Sequence, residues 1–512
     1  MLVKTFSSAV YGINATTVSV ETLICPGIHY HIVGLPDSAI KESLHRIESA
    51  ISSSKHRMPR QKIVINLAPA AIRKEGAAYD LSMAIGILAA SEQLPETCLR
   101  DYVILGELSL DGRIQSVKGV LPVALQAKED GFKGIILPTA NGREAAAVQD
   151  LEVLTADTLH EVILFFNGQQ QLPRVIINIE DEFLHHINNY ELDFADVKGQ
   201  ENIKRALEIA AAGGHNAILI GPPGAGKTML AKRLPTILPP LRLSESLETT
   251  KIHSVAGQLR ARSSLMTNRP FRAPHHTTSD VALVGGGASP QPGEISLAHH
   301  GVLFLDELPE FKRSVLEVMR QPLESRNITV SRAKFSVDYP ASFMLIAAMN
   351  PCPCGYYNHP EKECICGSAV VHRYLSKISG PLLDRIDLHV EVTPVAFNEL
   401  SSAQYTEKSE AIRARVIQAR EIQAKRFMNF PNIHNNAQMN TPTVHQVCQI
   451  TDSGRQLLKT AMERLGLSAR AYDRILKVSR TIADLDGATQ IDNQHLAEAI
   501  QFRSLDRESW AG

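Results

Sequence analysis

The sequence predicts an α/β protein with three parts: a mixed α/β N-terminal domain, a core built on a central parallel sheet, and a C-terminal helical lid. Short apolar runs alternate with helical patterns over residues 1–165. A glycine-rich loop at 221–228 lies between an apolar run and a helical pattern, and residues after 396 show helical periodicity with little strand character. The 512 residues, 44% of them hydrophobic, are enough for about three or four domains.

Composition restricts the classes of function. The net charge of −1 gives no global attraction to nucleic acid, so any contact with DNA must come from local basic residues. No apolar run approaches the length of a membrane span, and the first residues lack the layout of a signal peptide. We expect a soluble cytoplasmic protein that does not act at a membrane.

The N-terminal part reads as one domain with its own core. Apolar runs at 63–65, 103–105 and 134–137 predict strands, and the patterns at 38–51, 80–90 and 117–128 predict helices. A polar tract with glycine and proline follows, and an acidic-leaning stretch continues to Tyr190. We therefore predict a domain over 1–165 and a linker over 166–192.

Two segments of this domain resemble the proteolytic domain of Lon protease, which has the ribosomal protein S5 domain 2-like fold. Residues 106–119 resemble its hairpin and following helix, and residues 73–80 line up with its nucleophile loop. Ala78 stands at the position of the nucleophilic serine and Leu121 at that of the activating lysine. A Ser–Lys dyad needs a hydroxyl and an amine, so the resemblance implies a Lon-like fold without protease chemistry.

The loop at 221–228 fits the phosphate-loop pattern at every fixed position. Glycines let backbone N–H groups surround phosphate oxygens, Lys227 reaches the β- and γ-phosphates, and the Thr228 hydroxyl ligates Mg²⁺. Residues 217–220 predict the strand before the loop, and 229–234 continue as the helix after it. The predicted ATP-binding residues are Gly221, Pro222, Pro223, Gly224, Ala225, Gly226, Lys227 and Thr228.

Two further strands end in polar side chains suited to the same nucleotide. The apolar run 302–305 precedes Asp306 and Glu307, and the run 343–349 precedes Asn350. At the carboxyl ends of parallel strands, Asp306 is expected to hold Mg²⁺, and Glu307 to polarise the attacking water. Asn350 has a neutral side chain suited to orienting that water.

A longer pattern identifies the family. Residues 193–200 resemble the segment before the phosphate loop in AAA+ ATPases, and the segments 272–278, 285–287 and 292–296 lie between that loop and Asp306. With these segments the chain resembles, over essentially its whole length, the magnesium-chelatase-like AAA+ ATPases of the YifB/ComM family. The resemblance implies an AAA+ core over 193–395, a helical lid over 396–512, and a homo-oligomeric ring, most simply a hexamer.

The resemblance also assigns residues to interfaces. Arg385 is the candidate arginine finger for the neighbouring subunit's nucleotide, the alternative being a surface ion pair with Asp384 or Asp387. Arg470 lies in a segment similar to the sensor-2 element and is a candidate γ-phosphate contact. The related ATPases place a hairpin in the ring's pore, here residues 327–339, with Arg332 and Lys334 near its tip as DNA contacts.

Four of the seven cysteines fall in a short segment after Asn350. Cys352 and Cys354 form one C-x-C pair, and nine residues later Cys364 and Cys366 form another. Four thiolates in a compact loop can bind a structural Zn²⁺, with His359 as a substitute ligand. The alternative is a reduced loop with free thiols.

The lid contains a run of basic residues interleaved with glutamates, which favours a solvated helix face. The run is Arg413, Arg415, Arg420, Lys425 and Arg426.

The motifs predict ATP hydrolysis. The resemblance implies a ring-forming motor on DNA, most specifically a helicase for branch migration in recombination or transformation. The alternative is an ATPase that remodels a protein partner, as the chelatase subunit does.

Overall fold

The computed structural model describes residues 1–186, 190–259, 264–287, 290–332, 335–357, 359, 361–394 and 406–503. The N-terminal part contains one seven-stranded mixed sheet, with the order β3-β4-β2-β1-β5-β8-β9. The strands are β1 (Leu2–Tyr11), β2 (Asn14–Cys25), β3 (Tyr30–Val33), β4 (Lys62–Ala68), β5 (Tyr102–Ile104), the short pair β6 (Glu107–Leu108) and β7 (Ile114–Gln115), β8 (Gly134–Pro138) and β9 (Glu152–Ala156). The helices are α1 (Ser38–Ser53), α2 (Asp80–Ala90), α3 (Val120–Glu129), α4 (Gly142–Ala145), α5 (Leu159–Phe166) and α6 (Ile179–His186).

The longest strands of this sheet were not among the sequence predictions. β1 and β2 form an antiparallel hairpin paired from Leu2↔Leu23 to Tyr11↔Asn14. Its strands carry many serines and threonines, and Thr5 and Thr22 are fully buried beneath α2. A search for apolar runs therefore misses these strands. Helix α2, whose residues are all buried, has the bounds that the sequence predicted.

The core contains a five-stranded sheet, with the order β11-β14-β17-β10-β18 and all four pairings parallel. Its strands and the short pairs beside them are β10 (Ala217–Ile220), β11 (Phe271–Arg272), β12 (Gly285–Gly286), β13 (Gln291–Pro292), β14 (Val302–Leu305), β15 (Asn327–Arg332), β16 (Phe335–Pro340), β17 (Met344–Met349) and β18 (Leu388–Glu391). The helices are α7 (Glu201–Gly213), α8 (Lys227–Arg233), α9 (Leu243–Val255), α10 (Asp280–Val284), α11 (Glu294–Leu297), α12 (Arg313–Val318), α13 (Arg320–Ser325), α14 (Ser368–Leu375) and α15 (Gly380–Leu383).

The lid is helical, as predicted. Its helices are α16 (Ser409–Arg426), α17 (Thr441–Val447), α18 (Asp452–Leu465), α19 (Ala469–Leu485) and α20 (Asn493–Gln501). They share one hydrophobic cluster with α7 and one face of the parallel sheet, so the lid and the core are packed together. Among the described helices, none combines the length and the apolar character needed to cross a membrane.

The prediction of a solvated basic face on α16 was wrong for most of its arginines. Arg415 forms ion pairs with Glu208 and Glu407 at 2.6 and 2.5 Å. Arg420 donates two hydrogen bonds to the carbonyl oxygen of Ala211, and Arg426 binds the buried carboxylate of Asp484. The interleaved charges had indicated a solvated face. Of the partners, Glu407 lies just before α16, whereas Glu208, Ala211 and Asp484 lie on other helices, and the local spacing of charges gives no information about those.

Among the described residues, hydrogen bonds join the N-terminal domain to the core at two sites. At one, Gly119 donates its N–H to the Ser254 carbonyl on α9, and the Ser254 hydroxyl donates to the Glu144 carboxylate at 2.5 Å. At the other, the Tyr11 hydroxyl donates to the Ser336 carbonyl oxygen on β16 at 3.0 Å. The turn between β1 and β2 therefore lies directly on the hairpin formed by β15 and β16.

Candidate nucleotide-binding site

The glycine-rich loop connects the buried strand β10 to helix α8. The helix begins at Lys227, two residues before the predicted 229–234, so its first turn faces the loop. Gly224 and Gly226 have φ values of 79° and 82°, which glycine adopts without strain. The loop thus has the backbone shape that brings N–H groups around a phosphate.

Lys227 and Asn350 meet at the floor of this loop. The Lys227 ammonium donates to the carbonyl oxygens of Gly221 and Pro222 at 2.7 and 3.0 Å, and to Asn350 Oδ1 at 3.1 Å. Burial lowers the pKa of Lys227, and the nearby carboxylates of Asp306 and Glu307 act in the opposite direction. β10 and β17 are direct neighbours, which is why the residues after them come together.

Thr228 and Asp306 also meet. The Thr228 hydroxyl donates to Asp306 Oδ2 at 2.6 Å, although the two residues are 78 positions apart. A hydroxyl and a carboxylate side by side form an all-oxygen donor set, which suits Mg²⁺. The residues predicted to hold magnesium therefore fit that ion.

Glu307 is exposed, and its backbone has a φ of 52°, in the left-handed region. It lies beside a histidine to which the sequence analysis gave no role. His276 Nδ1 is 3.2 Å from Glu307 Oε2. The segment that carries His276 is anchored by Arg272, whose guanidinium binds both oxygens of Glu294 at 2.6 and 2.7 Å. The segments 272–278 and 292–296, used for the resemblance, thus bind each other and bring His276 to the expected catalytic carboxylate.

Arg385 lies at the opposite end of the parallel sheet from the phosphate loop. Its carbonyl oxygen accepts a hydrogen bond from Asn216, the residue before β10, at 3.0 Å, and Leu388 pairs with Ala217. The phosphate loop follows the other end of β10, about 10 Å along a strand of this length. The Arg385 side chain forms an ion pair with Glu324 and donates to the Pro381 carbonyl oxygen at 2.5 Å.

The predicted alternative for Arg385 was an ion pair with Asp384 or Asp387. This prediction was wrong, because Arg385 pairs with Glu324 instead. Asp384 binds Arg470 at 2.5 Å, and the buried Asp387 binds Arg474 at 2.8 Å. Arg470 therefore lies next to Arg385, at the amino-terminal ends of the strands. A cavity of about 680 Å³ at this edge is lined by charged residues that include Arg326, Arg385, Arg474, Glu324 and Asp387. Neither predicted phosphate-contacting arginine faces its own chain's phosphate loop.

The cysteine loop packs against the phosphate loop. A Cβ added to Gly355 would come within 2.5 Å of Pro223 Cδ, so the two loops are in direct contact. The Sγ atoms of Cys352, Cys354 and Cys364 are 3.3 to 3.7 Å apart, and Cys366 completes a group within 4.8 Å. Four sulfurs at about 2.3 Å from a tetrahedral Zn²⁺ would be about 3.8 Å apart, so the donor set fits zinc.

His359 is not part of this group. Its Nδ1 accepts hydrogen bonds from the backbone N–H groups of Glu361 and Lys362, each at 3.0 Å. Burial opposes ionisation of Cys354, but hydrogen bonds from the Tyr356 backbone and the Cys352 thiol lower the pKa of the Cys354 thiol to about 6. The donor set of this candidate zinc site is therefore the four cysteines, without His359.

We predict about one zinc ion per chain in protein purified without added metal. Zinc would hold the loop that positions Asn350 and packs on Pro223, so Cys352→Ser should lose the metal and raise the KM for ATP. Elemental analysis and steady-state ATPase kinetics measure both effects, with the exposed Cys98→Ser as the matched control. If the zinc content is well below one ion per chain and Cys352→Ser does not change it, the cluster is a group of free thiols.

The remaining predicted sites are the hairpin tip and the protease-like positions. β15 and β16 pair from Asn327↔Pro340 to Arg332↔Phe335, close to the predicted 327–339. Lys334 and the side chain of Arg332 lie outside the described residues. Ala78 packs against the hydrophobic cluster that contains the fully buried Leu121. Both positions therefore carry apolar side chains, where a dyad would need a hydroxyl and an amine.

Comparison with known proteins agrees with this architecture in each part of the chain. Residues 193–400 match the family described as magnesium chelatase, subunit ChlI, residues 20–141 match subunit ChlI of Mg-chelatase, and residues 406–503 match its C-terminal region. Lon protease 2 of Bacillus subtilis is 30% identical over 193 residues, which cover 31% of this chain and 33% of that protein.

Two relatives match nearly end to end. Competence protein ComM of Haemophilus influenzae is 43% identical over 504 residues, covering 98% of this chain and 97% of that protein. YifB of Escherichia coli is 44% identical over 502 residues, covering 98% of this chain and 96% of that protein. The predicted family is thereby confirmed: the chain belongs to the magnesium-chelatase-like AAA+ ATPases that include ComM and YifB.

Proposed function

We propose that this protein is an ATP-hydrolysing motor that works as a homo-oligomeric ring, most simply a hexamer, and moves DNA. One observation supports the ring: the residues predicted to act on the phosphates lie at two separate edges of the sheet. Lys227, Asp306 and Asn350 meet at one edge of the sheet, whereas Arg385 and Arg470 lie at the other. Two edges of one chain cannot serve the same phosphate, but they can serve two nucleotides in neighbouring subunits.

Each residue has a part in the proposed hydrolysis. Lys227 binds the phosphates, while Thr228 and Asp306 hold Mg²⁺, which when bound offsets the charge of the β- and γ-phosphates. Glu307 polarises the attacking water, and the His276 ring at 3.2 Å fixes the direction of that carboxylate. Asn350, held by Lys227, orients the same water.

DNA is the proposed substrate because of the hairpin and the relatives. One relative over the whole chain is named a competence protein, and the family resemblance implies a pore position for β15 and β16. Lys334, which the sequence predicts near the tip, is a point charge that can release and recapture phosphates without reading sequence. We propose that Arg332 and Lys334 grip the DNA backbone, and that the motor promotes branch migration.

The test is ATPase activity with and without single-stranded, duplex and branched DNA. We expect stimulation by DNA, strongest on branched substrates, and binding that weakens steeply with salt. Lys334→Ala should keep basal ATPase activity and ring assembly but lose stimulation and unwinding. Lys459→Ala, at an exposed lysine of the lid, is the matched control. Normal unwinding by Lys334→Ala would contradict the assignment of the grip.

A second candidate is an ATPase that remodels a protein partner. It is favoured by the match to the magnesium-chelatase 38 kDa subunit of Cereibacter sphaeroides, 25% identical over 174 residues. ATPase activity that no form of DNA changes, in rings shown to assemble, would favour this candidate over the DNA motor.

A further inference from the structure

The direction of the carboxylate expected to activate water depends on His276. The Glu307 side chain is 57% exposed, and His276 Nδ1 lies 3.2 Å from its Oε2. Among the described residues, His276 is the one side chain within ion-pair or hydrogen-bond distance of this carboxylate. Lys227 binds the carbonyl oxygens of the phosphate loop and Asn350 instead. The position of the His276 ring therefore determines where the Glu307 carboxylate lies.

The His276 ring packs against two other rings. Its centroid is 4.0 Å from that of His275, and 6.4 Å from that of Phe311 in an edge-to-face contact at 80°. Phe311 is buried and lies on the segment that follows Glu307. Edge-to-face and offset contacts are the arrangements that aromatic rings favour. A ring packed in this way has little freedom to turn by itself, so its place follows that of the segment that carries it.

This segment is one closed unit. We call residues 272–296 the insertion, of which 288 and 289 lie outside the described residues. It contains α10, and its strands β12 and β13 pair with each other. The Arg272 guanidinium binds both carboxylate oxygens of Glu294, which joins the two ends of the insertion. A displacement at one part of the insertion therefore reaches His276.

The hairpin of β15 and β16 is tied to the insertion. Tyr339 on β16 is fully buried, and its hydroxyl donates to the Pro290 carbonyl oxygen of the insertion at 2.9 Å. Side chains of both hairpin strands share one hydrophobic cluster with Leu283 of α10 and with Phe311. Protein interiors are densely packed and transmit strain. A displaced hairpin is therefore expected to move the insertion with it.

A small displacement of His276 is enough to change the rate of hydrolysis. A misplacement of about 1 Å in a reacting geometry can cost about 100-fold in rate. Glu307 is expected to act on the attacking water and not to bind the nucleotide. Such a displacement should therefore change kcat and leave the KM for ATP nearly unchanged.

We propose that His276 is a positioning residue that couples DNA in the pore to ATP hydrolysis. A displacement of the hairpin reaches the insertion through the Tyr339 hydroxyl, and the insertion moves His276 and with it the Glu307 carboxylate. This inference rests on the proposed DNA motor and names the regulation of its catalytic site.

The first test compares ATPase kinetics with and without branched DNA. In His276→Ala the ratio of the two kcat values should fall to about one, because the carboxylate is no longer connected to the insertion, while the KM for ATP stays that of the wild type. His276→Asn places an amide where the ring has Nδ1 and should restore part of the stimulation. His445→Ala, at an exposed histidine of the lid, is the matched control.

A second test acts on the hairpin, away from the nucleotide. Tyr339→Phe removes one hydroxyl and should keep basal ATPase activity while losing stimulation by DNA. Tyr11→Phe is the matched control, because it removes the hydroxyl that binds the Ser336 carbonyl oxygen from the N-terminal domain. The losses in His276→Ala and Tyr339→Phe should not add in the double variant, since both interrupt one path. Melting curves and ring assembly establish that each variant is folded.

The outcomes separate this inference from the motor. Full stimulation of His276→Ala or Tyr339→Phe, when the wild type is stimulated, would overturn the coupling and leave the motor standing. A raised KM for ATP in His276→Ala would assign its loss to damage of the nucleotide site, and weaker DNA binding in an anisotropy assay would assign it to the grip; either result overturns the coupling. A wild type that no DNA stimulates would overturn the motor and this inference with it.

Discussion

Arg385→Ala should reduce ATP turnover by about three to five orders of magnitude while leaving ATP binding intact. The expected size comes from arginine fingers in GTPases, which stabilise the charge of the transition state and not the bound nucleotide. Arg385 is suited to this role by its place at the far edge of the sheet from its own phosphate loop. Its Nε is buried and, among the described residues, has no hydrogen-bond partner.

A mixing experiment distinguishes action between subunits from a structural role. Arg385→Ala supplies an intact Glu307, and Glu307→Gln supplies an intact Arg385, so mixed rings contain complete sites at some interfaces. At equal amounts and random mixing, about a quarter of the interfaces should be complete. ATPase activity should therefore rise above that of either variant alone. No rise at any ratio, in rings shown to be mixed, would count against the assignment.

The matched control is Arg455→Ala, which removes an arginine side chain from an exposed ion pair with Asp452. Exposed pairs of this kind are worth about 0–1 kcal/mol, so turnover should stay near that of the wild type. Equal losses for Arg455→Ala and Arg385→Ala would mean that the effect on turnover is not specific to the sheet edge.

Acidification from pH 7.5 to 5.5 should destabilise the protein, because burial in the folded state disfavours protonation of several histidines. Burial lowers the pKa of His215, His253 and His389. In the unfolded chain each ring has a pKa of about 6.5 and takes up a proton as the pH falls below that value. Their contribution is therefore complete above about pH 6.5 and is lost progressively toward the folded-state pKa values.

The size of the loss follows from linkage. Each histidine contributes up to about 1.3 kcal/mol between pH 7.5 and 5.5, so three lower the free energy of unfolding by up to about 4 kcal/mol. Asp387 does not contribute in this window. Despite burial, Arg474 and His215 hold the pKa of that carboxyl well below its usual range, so its contribution is lost only at lower pH.

Thermal unfolding at the two pH values and constant ionic strength measures the loss. His253→Gln should reduce the difference between the two melting temperatures, since a glutamine amide can still donate to the Leu297 carbonyl oxygen as His253 Nε2 does at 3.0 Å. His445→Gln, at an exposed histidine of the lid, should leave the difference unchanged. A melting temperature that does not fall between pH 7.5 and 5.5 would show that these rings are already charged in the folded protein.

The sequence by itself determined the family, the fold class and the nucleotide-binding edge of the core. The phosphate loop, Asp306 and Asn350 each follow a short buried strand. Parallel strands end at a common edge, so the order of apolar run and polar residue was enough to predict that they meet. The helices of the lid were found for a similar reason, because helical periodicity is a local signal.

Tertiary structure decided which side chains face each other across long separations. No local pattern in the sequence predicts the contact of His276 with Glu307 or the buried partners of the α16 arginines. The same is true of the placement of Arg385 and Arg470 away from their own phosphate loop. Such contacts depend on how packed elements pair, and a periodic pattern records only which face of one element is buried.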